Sequence, residues 1–262
     1  MPTVFLPDLR LSYQDDGPKD GPAVVLLHAL GLDGGLFDPI LPLLPTGLRL
    51  IRPDMRGHGR SDVPDPPYAM GALVRDVERL MEHLAVKEAV VLGLSIGGMI
   101  AQGLAVKRLD LVRGLILSNT AARIGIAPHW DARIEAVRTG GMAAIADATV
   151  ERWFGRSFRL AGGAEPFRQR LLACDPRGWT GGAAAIAGTD FYTPTATLTL
   201  PALAIAGADD GSTPPDLVRE TAELILGADF CLIRGAGHLP FVEKPAEYAA
   251  AVTGFLTRIA HV

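Results

Sequence analysis

The sequence predicts an α/β fold: a mostly parallel sheet flanked by helices, with a helical segment inserted between two of the strands. Three observations predict it. Short apolar runs of strand length alternate with segments of helical period. The pentapeptide Gly93-Leu94-Ser95-Ile96-Gly97 stands directly after one such run and directly before a helix. The alternation then lapses over residues 122–190 and resumes at Ala202.

Residues 9–13 (LRLSY) alternate apolar and polar, as a half-buried strand does. Asp15-Asp16-Gly17-Pro18 and Asp20-Gly21-Pro22 are turn chemistry. Residues 23–27 (AVVLL) are wholly apolar, short and rich in Val, which predicts a strand buried on both faces. Residues 48–51 predict another strand, followed by a Pro/Gly/Asp-rich loop through Asp65. Over residues 70–85, Leu73, Val77, Leu80 and Leu84 form one apolar stripe at helical spacing. Residues 89–92 are the next buried strand, 97–107 a helix, and 115–117 part of a further strand.

Residues 122–190 hold no comparable strand and read as helices broken at Gly140-Gly141, Gly162-Gly163 and Gly181-Gly182. Strand–helix order returns with a strand at 202–206, a helix at 215–226, a strand at 230–233 and a last helix from 245 to about 259. The expected organisation is a core domain made of residues 1–121 and 191–262, with 122–190 as a helical cap.

A chain of 262 residues with 48% hydrophobic content can bury a full core as one large domain. Its 25 Lys+Arg against 29 Asp+Glu leave a net charge of −4, which argues against nucleic acid as the main partner. Two cysteines, Cys174 and Cys231, make neither a disulfide framework nor a zinc site, and are expected as small buried residues in a reducing compartment. No apolar run reaches the ~18 residues of a membrane span, and the N-terminus lacks the pattern of a signal peptide. The expectation is a soluble cytoplasmic protein with no membrane partner.

G-x-S-x-G needs its context to carry chemistry. A sharp strand-to-helix turn lifts the serine hydroxyl above the sheet edge, and the helix N-terminus presents N–H groups to a developing oxyanion. Ser95 is therefore the candidate nucleophile. A serine at its free pKa needs a base. Of six histidines, His238 stands in a Gly235-Ala236-Gly237-His238 loop just after the last predicted strand, on the sheet edge that carries Ser95. The orienting acid should fall between them in the chain. Asp209 and Asp210 end the 202–206 strand; the spacing from Gly207 selects Asp210, with Asp209 as the alternative. Asn119, after the preceding strand, is no acid. The oxyanion donors are expected at the Ile96 N–H and, from the His28-Ala29-Leu30-Gly31 loop, the Leu30 N–H.

These residues resemble the α/β-hydrolase superfamily, which implies a cap inserted after the sixth strand. The segment 54–62 (DMRGHGRSD) is similar to the superfamily's loop after its fourth strand, where His58 would be structural. The runs 93–100 (GLSIGGMI), 117–125 (LSNTAARIG), 129–134 (HWDARI), 141–147 (GMAAIAD), 151–154 (ERWF) and 173–176 (ACDP) resemble the 3-oxoadipate enol-lactonase family. One loop departs from that family's pattern: it reads His28-Ala29-Leu30-Gly31 rather than Asn-Ser-Leu-Gly. The resemblance implies a serine hydrolase that opens a small anionic enol-lactone in aromatic catabolism, without metal or organic cofactor.

In the cap, Trp130 and Arg133 share a helix face, an aromatic wall beside a guanidinium that suits a small carboxylate-bearing lactone or ester. The other reading of Arg133 is a solvated partner of Asp131 or Glu135. Trp153 and Trp179 are further candidates for that wall. Rival functions on the same triad are a general carboxylesterase and a cofactor-free perhydrolase; outside catalysis, the rival is a hydrolase-like small-molecule receptor.

Overall fold

The computed structural model describes residues 1–262. Runs that are apolar on both faces occupy the middle of the sheet, where both faces are covered. Strands β1 (Thr3–Phe5), β2 (Arg10–Asp16), β3 (Ala23–Leu27), β4 (Arg49–Pro53), β5 (Ala89–Leu94), β6 (Val112–Ser118), β7 (Ala202–Gly207) and β8 (Asp229–Ile233) form one eight-stranded sheet. Its order is β1-β2-β4-β3-β5-β6-β7-β8. The pairs β1–β2 and β2–β4 are antiparallel; every other pair is parallel. All residues of β3, β4, β5 and β7 are buried. In β4 that includes two arginines, neutralised by carboxylates: Arg49 by Asp15 at 3.0 Å and Arg52 by Asp16 at 2.6 Å.

Helix α1 (Met70–His83) packs on α2 (Ile96–Lys107), which lies against β5 and β6. Between β6 and β7 stand α3 (Ala127–Gly140), α4 (Ala143–Trp153), α5 (Arg156–Leu160), α6 (Glu165–Ala173) and α7 (Pro176–Ala187). They share the main core: Trp130, Val137, Ile145 and Trp179 belong to the same buried cluster as the sheet residues. The short α8 (Tyr192–Thr195) leads into β7, and α9 (Pro215–Glu223) packs on that strand. After β8 come α10 (Pro240–Glu243) and α11 (Pro245–Arg258).

The strand order fixes where a ligand can sit. β3 has β4 on one side and β5 on the other, so its neighbouring connections leave in opposite directions. That opens a crevice beyond the C-terminal ends of β3 and β5, the topological switch point of an open parallel sheet. The His28–Gly31 loop follows β3 and Ser95 follows β5, so both meet at this crevice.

Several expectations need correcting. α1 stops at His83 rather than residue 85, because Ala85 adopts a φ of 52° and the Val86 N–H turns back to the Met81 carbonyl at 2.9 Å. β6 starts at Val112; Arg113 and Gly114 interrupt its apolar run, and Arg113 is bulged out of the pairing with β5, where Ala89 faces Val112 and Val90 faces Gly114. β1, which buries only Val4, has too little apolar pattern to be read from sequence. The cysteines are half-buried rather than core residues. Cys231 lies on the edge strand β8, whose residues are mostly only partly covered, and Cys174 ends α6 beside Asp175.

The loop after β4 is pinned by a buried ion pair. Arg56 donates to both Asp76 carboxylate oxygens, Nε at 2.6 Å and Nη2 at 2.7 Å, and also reaches Asp8 at 3.1 Å. Removing one partner of such a pair strands the other charge. Asp76→Ala should therefore destabilise the fold by about 3–5 kcal/mol. The double variant Arg56→Met/Asp76→Leu should lose less than Asp76→Ala alone. Urea unfolding followed by circular dichroism checks the ranking; a harmless Asp76→Ala would contradict it.

Candidate active site

Ser95 joins β5 to α2 with φ 58° and ψ −120°, backbone that side chains rarely adopt. Such a conformation costs about 1–3 kcal/mol and persists only where the surroundings enforce it. Here the Ser95 N–H donates to the Ser118 carbonyl at 3.1 Å, and its own carbonyl accepts from Thr120 Oγ1 at 2.6 Å. The flanking glycines are steric necessities. A Cβ on Gly93 would lie 2.2 Å from the Gly97 carbonyl oxygen, and one on Gly97 would lie 2.2 Å from that of Leu27. The motif is thus the imprint of a turn that brings the serine against the end of β3.

His238 Nδ1 lies 2.8 Å from Asp210 Oδ2. That bond places the ring proton on Nδ1 and leaves Nε2 as the basic nitrogen. The same Asp210 oxygen accepts from Asn119 Nδ2 at 2.8 Å and Thr213 Oγ1 at 2.7 Å; Oδ1 accepts the N–H groups of Ser212 at 2.7 Å and Thr213 at 3.1 Å. Burial pushes the carboxyl up, but His238 and these donors outweigh it and hold Asp210 below the usual carboxylate value. Asp209 plays no such part: its N–H donates to the Ala236 carbonyl, and its carboxylate lies beside Gly155.

The end of α4, between β6 and β7, holds the histidine from the other side. The His238 N–H donates to the Trp153 carbonyl at 2.7 Å, and the imidazole stacks on the Trp153 ring with 6.3 Å between centroids and 18° between planes. Glu243 bridges the two segments, accepting the Gly237 N–H at 2.6 Å and the Gly155 N–H at 3.0 Å.

Two neutral histidines set the loop expected to supply the second oxyanion donor. His28 Nδ1 donates to the Ala29 carbonyl at 2.8 Å, and its Nε2 accepts the Met55 N–H at 2.9 Å. His58 Nδ1 donates to the Arg56 carbonyl at 3.1 Å, and its Nε2 accepts the Gly31 N–H at 2.9 Å. Each ring thus uses one donor and one acceptor, which suits only the uncharged form. Burial pushes both imidazoles down to about 4.

A cavity of about 160 Å³ collects Ser95, His238, Leu30, Trp130 and Arg133 in its wall. Asp210 stands behind His238, and Ile96 opens α2 beside Ser95 with its side chain buried. All three tryptophans of the chain line the cavity, Trp153 and Trp179 included. The Arg133 guanidinium lies 4.6 Å from the Trp130 ring centre and 5.2 Å from that of Trp179. It is not a solvated partner of Glu135, which pairs instead with Arg138 at 2.8 Å. Sequence reasoning missed four contributors: Asn119 and Thr213 on Asp210, and Thr149 and Arg152 in the wall. Asn119 sits at a strand end where an acid was sought, and its amide serves as a donor to the acid that lies elsewhere.

The sequence profile of the α/β-hydrolase family matches residues 24–251. The chain belongs to the α/β-hydrolase family. This hydrolase is 31% identical to 3-oxoadipate enol-lactonase 1 of Acinetobacter baylyi over 251 residues, covering 95% of this chain and 94% of that one. It superimposes on the enol-lactonase from Burkholderia xenovorans LB400 with a TM-score of 0.94 at 33% identity, over 98% of this chain and 100% of that one. It also superimposes on the malate-bound thermophilic esterase from Thermogutta terrifontis with a TM-score of 0.91 at 30% identity, over 99% and 97% of the two chains.

The buried histidines make stability pH-dependent in a defined direction. Well above pH 6.5 neither the folded nor the unfolded chain protonates them. As pH falls from 6.5 toward 4, the unfolded chain takes up protons that the folded His28 and His58 refuse, so stability is lost. Between pH 7 and pH 5 the hydrolase should lose roughly 3 kcal/mol in urea unfolding. A midpoint that stays fixed over that interval would contradict the neutral pair.

Proposed function

We propose that this hydrolase opens 3-oxoadipate enol-lactone, a small anionic enol-lactone, to 3-oxoadipate in the breakdown of aromatic compounds. Ser95 Oγ attacks the lactone carbonyl while His238 Nε2 takes its proton and Asp210 holds the imidazole. The Ile96 and Leu30 N–H groups bind the tetrahedral oxyanion. The ring C–O bond then breaks and expels an enol, which becomes a ketone. Because an enol leaves far more readily than a simple alkoxide, it needs little acid assistance. His238 next activates water, which releases the acyl group from Ser95 as a second carboxylate. No step calls for a metal or an organic cofactor.

The observation that carries the substrate class is Arg133. It projects into the cavity between two indoles, and its buried Nε has no hydrogen-bond partner. Burial pushes its guanidinium down to about 10. A desolvated cation without an acid is costly, and a ligand carboxylate offsets that cost. The cavity size supports a small ring, since cavities of ~150 Å³ hold molecules the size of benzene. The likeness to two enol-lactonases and to an esterase that binds malate supports the same anionic class.

A turnover panel tests this reading. The enol-lactone should exceed neutral p-nitrophenyl esters in kcat/KM by ~10²-fold or more. Arg133→Leu should lower kcat/KM for the lactone by ~10- to 10²-fold, the range of one hydrogen-bonded charge contact, and leave neutral esters within about threefold. Ser95→Ala should abolish both activities. Neutral esters turned over best and unaffected by Arg133→Leu would instead establish a general carboxylesterase.

A further inference from the structure

The cavity wall holds a second cation that one carboxylate does not account for. Arg152 lies on α4, three residues past Thr149, so the two share a helix face. Thr149 Oγ1 accepts from Arg133 Nη2 at 3.3 Å and from Arg152 Nη2 at 3.4 Å. One buried hydroxyl therefore draws two guanidinium groups together. Glu135 pairs with Arg138 at 2.8 Å and Glu151 with Arg159 at 3.7 Å, although the Glu151 charge still offsets part of the burial at Arg152. Neither Arg133 nor Arg152 forms an ion pair, and both guanidinium groups are pushed down, by burial first; for Arg133 the Arg152 charge adds to the effect.

Thr149 adds a second argument. A hydroxyl has two lone pairs and one O–H. The two arginines occupy both lone pairs, which leaves the O–H to donate. Thr149 is 2% exposed and lines the cavity, so that donor is available to a ligand there. The two cations also flank different regions. Arg133 lies among the indoles of Trp130 and Trp179, whereas the Arg152 side-chain stem packs on Gly211, next to Asp210, and its backbone carbonyl accepts the Gly211 N–H at 3.0 Å.

We propose that Arg152 and Thr149 form a second anion subsite, so that this cavity prefers ligands carrying two carboxylates over ligands carrying one. The inference rests on the anionic-substrate reading and extends it. Opening a lactone that bears one carboxylate adds water across the ring C–O bond and yields a second carboxylate. The product of that reaction therefore matches the two cations better than the substrate does. Short dicarboxylates act as competitive inhibitors, and the product restrains its own formation.

The test needs no turnover, because Trp130, Trp153 and Trp179 are the only tryptophans and all report from the wall. Adipate and its monoamide are titrated against the intact protein at pH 7.5 by intrinsic fluorescence. Adipate should bind ~10-fold or more tightly than the monoamide. Arg152→Gln should erase that preference while changing monoamide affinity less than threefold. Arg152→Lys, which keeps the charge, should retain most of it, and Thr149→Val should weaken adipate several-fold. Unliganded emission and circular dichroism matching the wild type establish that each variant is folded. Equal affinity for the two ligands, with both weakened by Arg133→Gln, would overturn the second subsite and spare the anionic-substrate reading. Failure of both ligands to bind, with neutral esters as the best substrates, would overturn both.

Discussion

Backbone strain at Ser95 organises this molecule. A residue with φ 58° and ψ −120° relaxes unless its neighbours prevent it, and here the ends of two parallel strands do so. β6 supplies the Ser118 carbonyl, and Gly97 packs against the carbonyl that ends β3. Both contacts require β3, β5 and β6 to be in register, so the turn depends on the pairing of these three strands. The strain is thus supported by the largest cooperative element in the fold. In return the hydroxyl stands at the switch point, where the chain already leaves a crevice.

The remaining groups are held by polar networks. Asp210 gathers five donors, so its charge is held and its orientation leaves no freedom to the His238 ring. His28 and His58 tie the loop after β3 to the loop after β4 through uncharged rings. The helices between β6 and β7 take part in this positioning as well as forming a wall. The Trp153 carbonyl and ring hold His238, and Glu243 clamps the histidine loop to the turn after α4. These helices therefore position His238 as well as enclosing the cavity.

Legibility in the sequence followed the range of the interactions. The Ser95 turn is encoded within five residues, so its motif reads directly. The pairing of Asp210 with His238 was readable because both residues follow strand ends at the same edge of the sheet. Contacts between distant segments left no such trace. Asn119 lies 91 residues from the carboxylate it serves, and an amide there carries no pattern of its own. Arg152 reads as an ordinary surface arginine one helical turn from Thr149; only the fold turns the pair toward the cavity. Local backbone detail was lost for a related reason. Ala85 ends α1 in a conformation that alanine does not announce, and β1 has one buried residue to mark it.

The central claim is that the strained serine is the nucleophile and His238 its base. Titration with diethyl p-nitrophenyl phosphate, followed by intact-mass measurement and peptide mapping, tests it most directly. One diethylphosphoryl group should attach per chain, at Ser95, with activity lost in proportion to labelling. His238→Ala should slow labelling by ~10²-fold or more. Attachment at another residue, or full hydrolytic activity in a fully labelled protein, would contradict the account.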